Sequence, residues 1–145
     1  MSGESDLSVL LASMSPKVRP GVFVFATVER EPDGVQVEAT VREPEGLSVV
    51  VTRDIAEAAD WDYDFEAAWI TLEVNSALDA VGLTAAVSSA LADDGISCSV
   101  IAGRFHAHLL VPIDRRDDTL AVLRRLSARA AVQAWESGAP RSTPN

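Results

Sequence analysis

The hydrophobic period changes from two to 3.6 inside one stretch of the chain, residues 69–86. Ile70, Leu72 and Val74 alternate with Trp69, Thr71 and Glu73, which is the pattern of a half-buried strand. Across residues 78–94, Leu83, Val87, Ala90 and Leu91 recur at helical spacing. Only a short polar turn, with Asn75 and Ser76, separates the two patterns. A strand that turns directly into a helix restricts the fold sharply, because the helix must bury its apolar stripe on the sheet that the strand joins. The first amides of such a helix have no partner within the helix. Beside Asn75 and Ser76 they can hold a small anionic or zwitterionic ligand without any catalytic side chain. Gly82 fits this reading, since a missing side chain leaves room for a ligand or a second backbone.

The same two periods organise the rest of the chain. Asp6 is a candidate N-cap for a helix that places Leu7, Leu10, Leu11 and Met14 on one face. Pro16 and Pro20 end it and force an extended path. Residues 22–28 read as a strand. Val35, Val37, Ala39 and Val41 alternate with Gln36, Glu38 and Thr40, and Pro32-Asp33-Gly34 supplies a turn, so the two runs are expected to pair as a hairpin. Pro44-Glu45-Gly46 turns into a third strand at 47–52, which extends the hairpin to a three-stranded meander. A short helix at 54–59 and an acidic, aromatic connector at 61–65 follow. Beyond the central helix, Gly95 is a left-handed stop. Residues 96–102 and 105–113 read as strands joined by Gly103 and Arg104. A last helix at 117–131 carries Leu120, Leu123, Leu126 and Ala130 on one face. Its early Asp117 and Asp118 and late Arg124, Arg125 and Arg129 suit the helix dipole.

The expected fold class is therefore α+β, with antiparallel sheets and helices on one face. The expected units are residues 1–64, residues 65–132 and a flexible tail, 133–145. The second unit reads β-α-β-β-α and has no final strand. Its open edge must be filled by the first unit, by a second subunit, or left bare, and a bare apolar edge invites aggregation. A homo-oligomer is expected on that ground.

Charge and composition exclude several classes. The chain has 145 residues, 48% of them hydrophobic, enough to bury a core. Acidic residues number 22 against 12 basic ones, a net charge of -10 that repels nucleic-acid phosphate and anionic membrane alike. Apolar runs are too short to span a bilayer. The first residues have neither a basic nor an apolar signal segment, so the expected location is the cytoplasm. The single cysteine, Cys98, rules out an internal disulfide and any multi-cysteine zinc site. It sits among apolar neighbours, where thiols are inert. His106 and His108 lie two apart on a strand and share a face, but no third zinc ligand accompanies them. The run Asp60, Asp62, Asp64, Glu66 lacks the glycine and terminal glutamate spacing of a calcium loop. No nucleophile elbow and no glycine-rich nucleotide motif occur. No catalytic residue, metal or cofactor is expected.

Five segments carry a family resemblance: Gly21-Val-Phe-Val-Phe, Arg42-Glu-Pro-Glu-Gly-Leu, residues 70–84, Gly95-Ile-Ser, and Ala102-Gly-Arg-Phe-His-Ala-His. By these the chain resembles a family of small bacterial proteins built from two ACT-like modules, the second similar to the ACT domain of eukaryotic arginine sensors. The resemblance implies ferredoxin-like, βαββαβ-related modules that bind an amino acid and regulate without chemistry of their own. It places the ligand between a loop wall, Asn75, Ser76, Ala77, Val81, Gly82, Leu83 and Thr84, and an opposing wall, Ile96, Ser97 and Cys98. Family members often carry an acidic residue where this chain has Ala107. The alternative is a structural or dimerising module whose ligand loop is vestigial.

Overall fold

The computed structural model describes residues 6–74 and 82–136. Helix α1, Leu7–Ser13, begins where the Asp6 carboxylate accepts a hydrogen bond from the Val9 amide at 3.2 Å. Strand β1, Ser15–Val28, runs through both prolines. It is followed by β2, Ala39–Glu43, and β3, Gly46–Thr52. Helix α2, Arg53–Ala58, is capped by the Thr52 hydroxyl. Then come β4, Tyr63–Glu73, and α3, Leu83–Asp93. The chain closes with β5, Ser99–Ala102, β6, Ala107–Pro112, a 3₁₀ turn at Ile113–Arg115, and α4, Arg116–Glu136.

The strands form one antiparallel sheet of six in the order β2-β3-β1-β4-β6-β5. The expected hairpin between the first two strands does not form, because β3 lies between β1 and β2. The reason is legible in the residues. Strand β3 carries Val49, Val50 and Val51 in succession, and all three are buried, so it needs cover on both faces and takes the inner position. Strand β2 exposes Thr40, Val41, Arg42 and Glu43, and takes the edge. Pro44 and Glu45 close a tight β2–β3 turn against the pair Glu43 and Gly46.

Other expected boundaries also move. The alternating run at 35–41 enters a strand only at Ala39, and the connector at 61–65 already belongs to β4 from Tyr63 onward. Strand β5 starts at Ser99, not at residue 96. Helix α4 continues to Glu136, so the chain is still helical at 133–136, where a flexible tail was expected. Residues 78–81, expected to open the central helix, lie outside the described residues, as do 137–145.

The two units complete one another at the sheet centre. Strand β1 pairs with β4 through Ser15–Arg19 against Glu73–Trp69, and again through Phe23–Ala26 against residues 67–63. Pro20 and Gly21 lie at the irregularity between, where a missing N–H and a φ of +102° are tolerated. Strand β1 thereby fills the edge that the second unit's own sequence leaves open, and β4 stands in the same relation to the first unit. Helix α1 follows its strand: Leu10, Leu11 and Met14 pack into the core formed by Ile70, Leu72, Leu83, Val87, Leu91, Leu109 and Leu123. The Ser127 hydroxyl of α4 donates to the Ala12 carbonyl at 3.1 Å.

That core and a smaller one under α2, with Val24, Ala26, Val49, Val51 and Ala56, occupy the same face of the sheet. Among the described residues the opposite face carries no helix. There Phe23, Val50, Ala67, Trp69 and Leu110 are buried against one another and against half-buried Phe25, Phe65 and Ile101. Phe23 and Trp69 pack with ring centroids 5.3 Å apart. The Arg19 guanidinium lies 4.8 Å from the Trp69 centroid and 5.0 Å from that of Phe23, and it pairs with Glu38 at 2.9 Å.

Candidate functional site

Of the loop wall, Asn75, Ser76, Ala77 and Val81 lie outside the described residues. Gly82, Leu83 and Thr84 form the start of α3. Gly82 has a φ of +99° and its carbonyl accepts from the Ala86 amide at 2.8 Å. Among the described residues no side chain caps this helix and its first turn holds no acid, so the amides of Leu83, Thr84 and Ala85 have no side-chain partner among them. Leu83 turns into the core, and Thr84 is exposed. A Cβ on Gly82 would meet Leu7 Cδ2 at 3.1 Å, so the glycine lets α1 approach the helix start.

Ile96, Ser97 and Cys98 follow the other end of α3. The Ile96 amide donates to the Leu91 carbonyl at 2.9 Å. The eleven residues of α3, about 16 Å at 1.5 Å each, separate Gly82 from the Ile96 segment. Ile96 is buried beneath α3 and Ser97 is exposed. Cys98 is half-buried, its Sγ points to the Ser99 carbonyl at 3.8 Å, and burial pushes its thiol up to about 11. That thiol is protonated at neutral pH and is a poor nucleophile.

The antiparallel sheet instead carries the β5–β6 turn to the end of β4 that faces the loop. Gly103 tightens this turn by donating its amide to the His106 carbonyl at 2.9 Å. Between the turn, the end of α1 and the end of β4 lies an open cleft of about 510 Å³, lined by Ser13, Glu73, Val74, Phe105 and His106. The Glu73 carboxylate has no ion-pair partner among the described residues. Phe105 is 71% exposed, with the Arg104 guanidinium 5.3 Å from its ring centroid. Sequence reasoning missed Ser13, Glu73 and Phe105 as site residues. The available signal was Phe105 itself, a large apolar side chain in a glycine turn, where no core position is on offer.

The two histidines part company. His106 precedes β6 and lines the cleft, whereas His108 packs on the helix-free face with its ring 5.4 Å from Trp69. The Trp69 indole N–H donates to Thr71 Oγ1 at 3.2 Å and to His108 Nδ1 at 3.3 Å, and Thr71 Oγ1 lies 2.9 Å from the same nitrogen. Burial foremost, then His106 and Arg19, hold the His108 imidazole below its usual pKa. Among the described residues no three His, Cys, Asp or Glu side chains are grouped to hold a metal. Nor is any helix among them long and apolar enough to cross a membrane.

Comparison with known proteins bears on the fold. Residues 2–68 match one ACT domain family model, and residues 64–125 match another. A Vibrio cholerae protein of unknown function, described as a possible transport protein, is 40% identical; the match covers 83% of this chain and 95% of that one, with a TM-score of 0.76. An Agrobacterium tumefaciens protein is 24% identical over 79% of this chain and 89% of its own, with a TM-score of 0.63. The ligand-free regulatory subunit of aspartate kinase from Thermus thermophilus shares the fold at 11% identity, over 77% and 95% of the two chains, with a TM-score of 0.60. No curated protein matches the sequence.

Proposed function

The chain belongs to the ACT domain family, and on that premise we propose that it is a regulatory or sensor protein that binds an amino acid and catalyses no reaction. The observation that carries this reading is the start of α3, which no side chain among the described residues caps, together with the cleft at the end of the preceding strand β4. Free amides at a helix N-terminus suit a carboxylate. The carboxylate sits against Gly82, Leu83 and Thr84, with Asn75, Ser76, Ala77 and Val81 completing the loop wall. With Gly82 and Ile96 at opposite ends of α3, we take Ile96, Ser97 and Cys98 to face the ligand from a second copy, which is a reason for the chain to work as a homo-oligomer. The net charge of -10 argues against nucleic acid or membrane as a partner, and we place the protein in the cytoplasm. That aspartate kinase regulatory subunits share the fold supports a regulatory role by analogy of architecture.

Thermal shift with each of the twenty amino acids tests the reading. A ligand at a hundred times its Kd stabilises the fold by about 2.7 kcal/mol, which raises the midpoint by several degrees. Light scattering with and without that amino acid reads the assembly. If no amino acid moves the midpoint, the binding reading fails and a purely structural module stands in its place.

A further inference from the structure

We propose that the cleft at the end of β4 holds a primary ammonium group, with Glu73 as its counter-charge. The proposal deepens the amino-acid reading, in which that group belongs to the ligand. A primary ammonium presents three N–H donors around a point charge. The cleft is lined by residues of three separate elements that carry acceptors: Glu73 from β4, Ser13 from α1, and His106 from the β5–β6 turn. The Ser13 Oγ donates its own proton to the Leu10 carbonyl at 3.2 Å, which leaves its lone pairs for an incoming donor. Two acidic groups beside the central strands are engaged by cations, Glu38 by Arg19 and Glu66 by Arg53. Glu73 has no such cation among the described residues.

Among the described residues the other lining side chains are apolar, Val74 and the exposed Phe105. An aromatic face attracts cations. The Phe105 ring already draws one from its own chain, the Arg104 guanidinium at 5.3 Å. A site with a carboxylate, a hydroxyl, an imidazole and an aromatic rim discriminates by donor count. A quaternary ammonium carries charge without donors, and an alcohol carries a donor without charge; neither satisfies the set.

The test uses the full, isotope-labelled chain and n-butylammonium as the probe, followed by NMR at Glu73, Phe105 and His106. Saturable shifts are expected there with butylammonium, and none with tetramethylammonium or n-butanol. Loss of a charge-assisted hydrogen bond by Glu73→Gln is expected to weaken binding roughly tenfold or more. Methyl signals of Ile70 and Leu109 serve as the fold control and stay in place in that variant. The cleft lined by Thr27, Glu29, Glu45 and Trp61, of about 520 Å³, is an internal comparison, since it also joins an aromatic ring to carboxylates. Equal shifts at Trp61 would reduce the effect to diffuse attraction by an acidic surface and overturn the proposal. Equal binding by Glu73→Gln would overturn it too, as would the absence of a saturable shift. An amino acid that stabilises the wild type and Glu73→Gln alike overturns this inference but leaves the proposed function intact. Saturable amine binding with no stabilising amino acid supports the inference and sinks that function.

Discussion

His108 shows how one side chain ties the sheet to pH. Its Nδ1 faces the Trp69 indole N–H, a donor that only an unprotonated nitrogen can accept. Burial, His106 and Arg19 all disfavour the imidazolium, so the folded pKa lies below the unfolded value of about 6.5. The unfolded chain then binds the extra proton first. The contribution of His108 is complete above about pH 6.5 and is lost as pH falls below it. Urea midpoints at pH 7.5 and 5 are expected to drop further for the wild type than for His108→Gln, whose amide oxygen keeps the indole contact. Equal drops would remove His108 from the account. Two glycines give a second expectation at this scale. Gly21→Ala meets nothing within 4 Å and strains only a φ of +102°, a cost of about 1–2 kcal/mol. Gly46→Ala adds a contact of 2.8 Å with Thr27 Cγ2 and one of 3.1 Å with the Val28 carbonyl, and is expected to lower Tm by more. The environments of His108 and Gly46 cannot be read from the residue alone, because each depends on a neighbour brought from a distant part of the chain.

Helix α1 is the element whose place differs most from its position in the sequence. It opens the first unit yet packs in the second unit's core, beside α3 and α4. Leu10 is fully buried there, so Leu10→Ala is expected to cost about 2–5 kcal/mol. Hydrogen exchange should report the loss in α4 and β4 before β2. Val41→Ala, on the exposed edge strand, is expected to stay within about 0.5 kcal/mol. The existence of the helix was legible, since Asp6 caps it and Leu7, Leu10 and Leu11 share a face. Its partner was not, because an apolar stripe specifies that it must be buried and not what buries it. The order of β1, β2 and β3 failed for a related reason. Adjacency in sequence favours a hairpin, but the doubly buried valines of β3 outweighed it. The candidate site follows the same rule: Gly82 marked the helix start, whereas Ser13, Glu73 and Phe105 meet only because the antiparallel strands end together.

At the scale of the whole molecule, the two units are not separable bodies. Each central strand, β1 and β4, completes the sheet of the other unit. Expressed alone, residues 1–62 and residues 63–145 are each expected to remain unfolded by circular dichroism and NMR, and to regain the native spectrum when mixed. A well-dispersed spectrum from either piece would show that the exchange of strands is dispensable. The residues alone set the local terms: period, capping and turn chemistry marked the kind of each element, although β1 and β4 begin well before the expected strands. Those are properties of neighbouring residues, set by backbone sterics and solvation, and they act before any long-range contact forms. Strand order, the filling of the open edge by β1, the separation of Gly82 from Ile96 along α3 and the assembly of the Glu73 cleft were decided only by the tertiary structure. Each depends on which apolar surfaces find one another, and that is a competition among all the surfaces of the chain at once.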